Sequence, residues 1–163
     1  MNPALSVDLG SGPQPANPFQ AERVIGLDAH SIGADVISFW IGFEPLPLET
    51  SSVDVVTAFD FLEHLPRAIC RNIVVINTFI ETMSEVWRIL KLQGLFVARM
   101  PAFPHPEAFQ DPTHVNVITD TTVSYFARRP QADGSVIDAW GPELGGRYGF
   151  QGAVVLLGQQ WDH

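Results

Sequence analysis

The stretch VDLGSGPQP, residues 7–15, decides the fold. Its apolar start predicts a buried strand, and the turn Gly10-Ser11-Gly12 that follows is typical of the first loop of a nucleotide-binding α/β domain. Glycines let the backbone turn sharply and let a ligand approach closely, because no Cβ is in the way. A dinucleotide-binding loop carries a third glycine where this chain has Pro15. A pyrophosphate site is therefore disfavoured, whereas a site for a cofactor without phosphates is not.

Apolar runs alternate with helical or looped segments along the rest of the chain. Strands are predicted over residues 4–9, 23–27, 35–38, 53–58, 95–100 and 153–158. The strongest helix is predicted over 78–91, with Thr78 and Glu81 at capping-box spacing and Gly94 ending it. A short helix is predicted over 120–128. This alternation predicts an α/β fold with a mainly parallel sheet.

The first connection and the strand ends carry further information. Three prolines within residues 13–22 leave room only for a short or irregular helix after the glycine turn. In parallel sheets the ligand lies at the carboxyl ends of the strands. We therefore expect the glycine turn, Asp28, Asp60 and the loop 101–118 to share one edge of the sheet.

The composition limits the classes of function. The 163 residues, 46% apolar and 17% charged, suit one folded domain spanning 1–163. A formal charge of −9 argues against a nucleic-acid partner, because phosphate binding needs a basic surface. The single cysteine, Cys70, allows no intrachain disulfide and is expected to be a buried, inert thiol. With no signal-peptide pattern and no apolar run of about 18–20 residues, we expect a cytoplasmic protein without a membrane partner.

Four stretches in order resemble a known family. They are VDLGSGP (7–13), VIGLDA (24–29), PLPLETSSVDVVTAFDFLEHL (45–65) and EVWRILKLQGLFVARMP (85–101). Together they resemble the class I S-adenosylmethionine-dependent methyltransferases, most closely the small-molecule, type 11-like domains related to the ubiquinone-biosynthesis enzymes. The resemblance covers about residues 5–126. It implies a three-layer Rossmann-like sandwich, S-adenosylmethionine as the cofactor, and an enzyme.

The resemblance also implies which residues hold the cofactor. The glycine turn would surround the methionine part, Asp28 would accept the ribose hydroxyls, and the end of the fourth strand would contact the methionyl end. Carried over by position, the cofactor-binding residues are Asp8, Gly10, Ser11, Gly12, Asp28, Ala29, Phe59 and Asp60. The acidic residue near the adenine falls at Gly42, with Asp35 as a substitute. The chain begins at the first strand and stops at Trp161-Asp162-His163, so we expect a version that is minimal or truncated at both ends.

Catalytic candidates lie after the fourth and fifth strands. Methyl transfer needs alignment more than a covalent nucleophile, and a hydroxyl acceptor also benefits from a general base. Asp111 and His114 are predicted to form an acid–base pair, and His64 would face the same cleft. The alternatives are purely structural roles, in which residues 111–114 form a turn and His64 ends a short helix. The spacing of His105, Asp111 and His114 is too loose to predict a metal site, so no metal is expected.

Three functions follow. The first is methyl transfer to oxygen or nitrogen of a small-molecule acceptor, such as a sugar. The second is a non-catalytic methyltransferase-fold domain that acts through a partner or as a homo-oligomer, since an exposed sheet edge favours pairing between chains. A nicotinamide-dependent dehydrogenase is a third alternative, which Pro15 disfavours.

Overall fold

The computed structural model of the protein describes residues 2–30, 32–131, 133, 135–137 and 141–160. The strands, in chain order, are β1 (Leu5–Leu9), β2 (Arg23–Asp28), β3 (Val36–Ser38), β4 (Val53–Phe59), β5 (Ile69–Arg71), β6 (Val74–Ile76), β7 (Leu90–Arg99), β8 (Ala127–Pro130), β9 (Val136–Ile137) and β10 (Val154–Val155). The helices are α1 (Thr78–Ile89), α2 (Glu107–Gln110) and α3 (Gly141–Arg147), with 3₁₀ turns at Leu62–His64 and Thr122–Tyr125.

The central sheet has five strands in the order β3-β2-β1-β4-β7, all parallel. This confirms the predicted α/β fold with its mainly parallel sheet. The chain builds outward from β1 to β3 and then returns to the other side of β1 to place β4. The strand order therefore reverses between β1 and β4, and this switch point is where open α/β sheets bind ligands.

The proline-containing loop of residues 10–22 has no helix and lies directly on the sheet. A Cβ on Gly26, in β2, would lie 2.3 Å from Ser11 Oγ and 2.7 Å from Pro15 Cγ. Only glycine leaves room for the loop at that point. Three prolines deny the segment a regular helix, as the sequence predicts, and the loop itself covers this part of the sheet.

Helix α1 is two residues shorter than predicted. Its N-cap is Asn77, whose side chain accepts a hydrogen bond from Ile80 N at 3.2 Å, and not Thr78. The Thr78 hydroxyl donates instead to the carbonyl of Pro66. Gly94 does not end the helix, because β7 begins at Leu90, directly after α1, and includes Gly94. The chain therefore changes from helix to strand between Ile89 and Leu90, and Ile89 is fully buried in the core.

The core lies between α1 and the sheet. Fully buried apolar side chains come from three central strands and the helix: Val7, Leu9, Leu27, Val53, Val56 and Ile89. Each such side chain contributes about 1.5–3 kcal/mol when it leaves water. The core therefore fixes the strands whose carboxyl ends form the site.

The C-terminal part differs most from the sequence prediction. Of the strand predicted over 153–158 only Val154–Val155 forms, and it pairs with β8 in a second sheet, β10-β8-β9, rather than with the central one. The helix predicted over 120–128 is a 3₁₀ turn followed by β8. Phe126 and Phe150 pack this part on Met83 of α1. Residues 161–163 lie outside the described residues.

Two smaller findings complete the fold. Cys70 lies in β5 and is exposed, so the prediction of a buried thiol was wrong. The β5–β6 hairpin that holds it leaves that side chain on the surface. Within the described part of the chain, no helix combines the length and apolar character needed to cross a bilayer.

Candidate functional site at the carboxyl edge of the sheet

The glycine turn follows β1 at the switch point. Gly10 and Gly12 have φ values of +66° and +58°, the left-handed region that favours glycine. Gly10 N donates to Leu27 O at 2.8 Å, which ties the turn to β2. Apart from Gly12 and its two chain neighbours, no described residue has an atom within 4 Å of where a Cβ on Gly12 would be. The turn is thus held at one glycine and open to an approaching ligand at the other.

Asp8 supports the turn from beneath. Its carboxylate is buried and accepts hydrogen bonds from Thr57 Oγ1 and Ala16 N, both at 2.7 Å. Burial raises the pKa of Asp8, and the two hydrogen bonds oppose that rise. Asp8 therefore joins β1, β4 and the loop 10–22, which fixes the shape of the predicted cofactor loop.

Asp28, the last residue of β2, lies beside the turn. Its carboxylate accepts from Gly12 N at 3.0 Å and from His30 N at 2.8 Å. The structure thus brings together Gly12 and Asp28, which the sequence predicts to act on one ligand. Ala29 follows at the same edge, and its carbonyl accepts from Ser38 Oγ at 3.5 Å.

The end of β4 forms the other side of the switch point. Asp60 has a φ of +51° and pairs with Arg99, whose guanidinium lies 5.4 Å from the centre of the Phe59 ring. This ion pair is exposed and so stabilises the edge little. The Phe61 ring packs against Gly10, so that a Cβ there would lie 2.3 Å from Phe61 Cδ2. Phe61 therefore contacts the glycine turn across the switch point, while the predicted residues Phe59 and Asp60, which precede it, contact Arg99.

The structure brings the predicted catalytic residues His64, Asp111 and His114 together, but the Asp111 carboxylate hydrogen-bonds to Thr113 rather than to His114. The rings of His64 and His114 lie 4.8 Å apart, edge to face. Asp111 Oδ1 accepts from Thr113 N and Oγ1, at 2.8 and 2.6 Å, and these hydrogen bonds lower the pKa of Asp111. Thr113 Oγ1 in turn lies 2.9 Å from His64 Nδ1. Asp111 therefore orients His64 through Thr113, and the Nδ1 of His114 bonds to the carbonyl of Glu107 at 3.0 Å.

Backbone hydrogen bonds hold this histidine pair together. Val115 N and Asn116 N both donate to the carbonyl of Glu63, at 3.0 and 2.9 Å. The Asn116 side chain donates to Leu62 O at 3.1 Å. The loop after β7 is thereby fixed on the 3₁₀ turn after β4, which is why His114 lies next to residues 50 positions away in the sequence.

Glu63 is the site residue that the sequence analysis missed. It is 1% exposed, and neither of its carboxylate oxygens has a hydrogen-bond partner among the described residues. Burial raises the pKa of Glu63. His114 Nε2 lies 4.0 Å from Glu63 Oε1. The available signal was a charged residue inside the apolar run FDFLEHL, next to a histidine.

The three side chains that converge here are Glu63, His64 and His114. One ligand atom from each lies within 4.8 Å of the others. His105, a candidate ligand by its spacing, is half exposed and lies 3.7 Å from Glu107 Oε2. Among the described residues, therefore, the converging set contains Glu63 and His64 and not His105 and Asp111, whose spacing with His114 is too loose to predict a metal site.

A cavity of about 400 Å³ lies between the start of α1, the segment around Asn116 and the 3₁₀ turn Thr122–Tyr125. Its polar lining includes Arg67, Asn77, Asn116, Tyr125 and Tyr148. Cavities of this size suit small organic molecules.

The strand order and the loops at its carboxyl edge define a Rossmann-like α/β protein. No protein-family model matches the sequence, and the search of curated proteins finds no match. The chain is similar to the crystal structure of the YcgJ protein from Bacillus subtilis, with a TM-score of 0.54 and 17% identity. The similarity covers 74% of this chain and 58% of YcgJ, so the chain spans less than two thirds of that protein. At this identity the likeness shows the fold alone.

Proposed function

We propose that this protein binds S-adenosylmethionine at the carboxyl edge of its sheet and transfers the methyl group to a small-molecule acceptor. The observation that carries the proposal is the meeting of the glycine turn, Asp28 and the end of β4 around one switch point. The proposal includes the three-layer Rossmann-like sandwich and the cytoplasmic location that the sequence predicts.

The chemistry of the turn supports an adenosyl ligand without phosphates. The backbone is open at Gly12, and Asp28 lies at hydrogen-bond distance from that residue. An ionised carboxylate has four lone-pair sites, so it can accept ribose hydroxyls in addition to amide donors. Pro15 occupies the position of the third glycine of pyrophosphate-binding loops and packs on the sheet at Gly26. These features favour S-adenosylmethionine over a dinucleotide.

The acceptor side of the reaction needs space and a proton acceptor. In the proposed step the acceptor oxygen or nitrogen bonds to the methyl carbon, the carbon–sulfur bond breaks, and S-adenosylhomocysteine leaves. Nε2 of His114 takes the acceptor's proton, since the Nδ1–H of that ring is engaged by the Glu107 carbonyl. The cavity beside Asn116 offers room for an acceptor of small-metabolite size.

Calorimetric titration tests the cofactor assignment. We expect wild-type protein to bind S-adenosylmethionine and S-adenosylhomocysteine, and Asp28→Ala to weaken both by about tenfold or more, because charge-assisted hydrogen bonds to the ribose are lost. The matched control is Asp120→Ala, which removes an exposed carboxylate outside the edge described above. Equal affinity of wild type and Asp28→Ala would contradict the assignment, as would tight binding of NADH in place of the adenosyl compounds.

Turnover separates an enzyme from a binding domain. Methyl transfer from labelled S-adenosylmethionine to a pool of metabolites supports the proposed reaction. Cofactor binding without transfer, together with a stable homo-oligomer in solution, would support the alternative of a non-catalytic domain that acts through a partner.

A further inference from the structure

We propose that Glu63, His64 and His114 bind a divalent transition-metal ion of the Zn²⁺ class. One ligand atom from each side chain lies within 4.8 Å of the others, on two loops that backbone hydrogen bonds hold together. This inference goes beyond the proposed methyl transfer and does not depend on it, because it rests on the cluster's own geometry.

The buried carboxylate of Glu63 is the first argument. Both oxygens lack a hydrogen-bond donor among the described residues, and the side chain is 1% exposed. A buried polar group without a partner is costly, and buried carboxylates in proteins are paired, hydrogen-bonded or bound to a metal. The nearest basic atom is His114 Nε2, at 4.0 Å from Oε1. A cation between these two atoms supplies the missing partner.

The tautomer of His114 is the second argument. Its Nδ1 lies 3.0 Å from the carbonyl oxygen of Glu107, and a carbonyl can only accept a hydrogen bond. Nδ1 therefore carries the proton, and Nε2 carries the lone pair of the neutral ring. That lone pair is on the atom that faces Glu63.

The tautomer of His64 follows from a similar chain of hydrogen bonds. The Thr113 hydroxyl has one hydrogen, which it donates to Asp111 Oδ1 at 2.6 Å. His64 Nδ1, at 2.9 Å from Thr113 Oγ1, is then the donor to that oxygen, so Nε2 again carries the lone pair. Metal-bound histidines characteristically donate their second N–H to a carbonyl or carboxylate in this way.

The ligand set selects the kind of metal. Two neutral imidazoles and one carboxylate suit Zn²⁺, Fe²⁺, Co²⁺ or Ni²⁺, whereas Mg²⁺ and Ca²⁺ prefer oxygen ligands throughout. Bonds of about 2.0–2.2 Å to tetrahedral Zn²⁺ require ligand atoms roughly 3.4 Å apart, so the most widely separated ligand atoms approach each other by up to about 1.4 Å on binding. Three protein ligands leave a coordination position open, as in catalytic zinc sites.

An open position changes what the edge of the sheet can bind. A divalent ion lowers the pKa of an oxygen acid bound to it, so hydroxyl-bearing ligands would be favoured at this point. With the ion bound, His64 and His114 act as ligands and not as proton acceptors. Metal binding therefore competes with the role of proton acceptor that the proposed function assigns to His114.

Zinc binding by chelator-treated full-length protein tests the site. Equilibrium dialysis with Zn²⁺ should give one ion per chain, and Co²⁺ should give visible absorption of a low-symmetry site. Glu63→Gln and His114→Ala should each remove that ion. Thr113→Val keeps all three ligands but removes the hydroxyl that accepts a hydrogen bond from His64 Nδ1, so it should weaken zinc binding by about 10–100-fold. His105→Ala is the matched control, since His105 is exposed on the same loop, and it should bind zinc as the wild type does.

Thermal unfolding gives a second readout that needs no cofactor. Zinc should raise the melting temperature of the wild type and leave that of Glu63→Gln unchanged. Without metal, Glu63→Gln should melt at or above the wild-type temperature, because the variant no longer buries an unpaired carboxyl group. No saturable zinc binding by the wild type would overturn the proposal. Zinc binding that persists unchanged in both Glu63→Gln and His114→Ala would overturn it as well. Either result leaves the adenosyl site untouched, since titration with S-adenosylhomocysteine tests that site separately.

Discussion

Gly10 is the residue at which the structure makes its sharpest quantitative prediction. Its φ is +66°, and a Cβ added there would lie 2.3, 2.5 and 2.7 Å from Cδ2, Cγ and Cβ of Phe61. Real Cβ atoms essentially never come so near another heavy atom, and Phe61 is itself packed against the core. Gly10→Ala therefore combines backbone strain with a steric clash at the switch point.

Gly12 separates these two effects. Its φ of +58° is nearly that of Gly10, but no described residue other than its chain neighbours has an atom within 4 Å of its Cβ position. In both variants, alanine must adopt the left-handed backbone conformation, which costs about 1–2 kcal/mol for a residue with a Cβ. Both also gain about 0.4–1 kcal/mol from a less flexible unfolded chain. The difference between them isolates the clash, and overpacking of this kind costs about 1–3 kcal/mol.

Urea denaturation of the two variants and the wild type measures that difference. We expect Gly10→Ala to be less stable than Gly12→Ala by about 1–3 kcal/mol. In a Phe61→Ala background the Gly10→Ala change should cost less, because Cγ and Cδ2 are gone. Equal destabilisation by the two alanines, or an undiminished cost in the Phe61→Ala background, would refute the packing of Phe61 on the turn.

Three further predictions concern the stability of the fold. Burial raises the pKa of Asp8 above its usual value of 3.8. Protonated Asp8 therefore stabilises the fold fully below pH 3.8, and this stabilisation is lost as the pH rises through the folded-state pKa. In urea titrations at several pH values, Asp8→Asn should remove this pH dependence. Arg88 donates to the carbonyls of Leu46 and Leu48, so Arg88→Lys should lower the free energy of unfolding by about 1.5–3 kcal/mol. The control is Arg147→Lys, in an exposed i,i+4 pair, which should change the free energy of unfolding by less than about 0.5 kcal/mol. Ile73 is exposed with a φ of +65° in the β5–β6 turn, so Ile73→Gly should raise the melting temperature.

Each of these predictions has an outcome that contradicts it. Parallel pH profiles for wild type and Asp8→Asn would show that burial does not set the titration of that carboxyl. Similar losses for Arg88→Lys and Arg147→Lys would mean that the guanidinium bonds to the loop before β4 contribute nothing specific. A lower melting temperature for Ile73→Gly would mean that the hairpin turn is not strained.

The sequence predicted the central sheet well because parallel strands buried on both faces are continuous apolar runs. Leu5–Leu9 and Val53–Phe59 are close to this pattern, since both are mostly apolar, and the prediction placed both within a residue. The prolines at 13–22 correctly predicted a connection without a regular helix. Asp28 and the glycine turn were brought together by topology alone, since adjacent parallel strands end at the same edge.

The parts that sequence reasoning missed depend on contacts distant in the chain. The start of β7 at Leu90 follows from pairing with Val53, which local propensity at Gly94 does not reveal. The grouping of Glu63 with His114 requires the backbone bonds of residues 115 and 116 to the Glu63 carbonyl. Spacing along the sequence pointed instead to Asp111 as the partner of His114, because the two are three residues apart.

The central claim is that an adenosyl ligand lies across the glycine turn with its ribose at Asp28. A crystal structure grown with S-adenosylhomocysteine tests this most directly. We expect electron density for the ligand over Gly12, with both ribose hydroxyls donating hydrogen bonds to the Asp28 carboxylate. Density for the ligand elsewhere, or an unchanged edge with Asp28 bonded only within the protein, would contradict it.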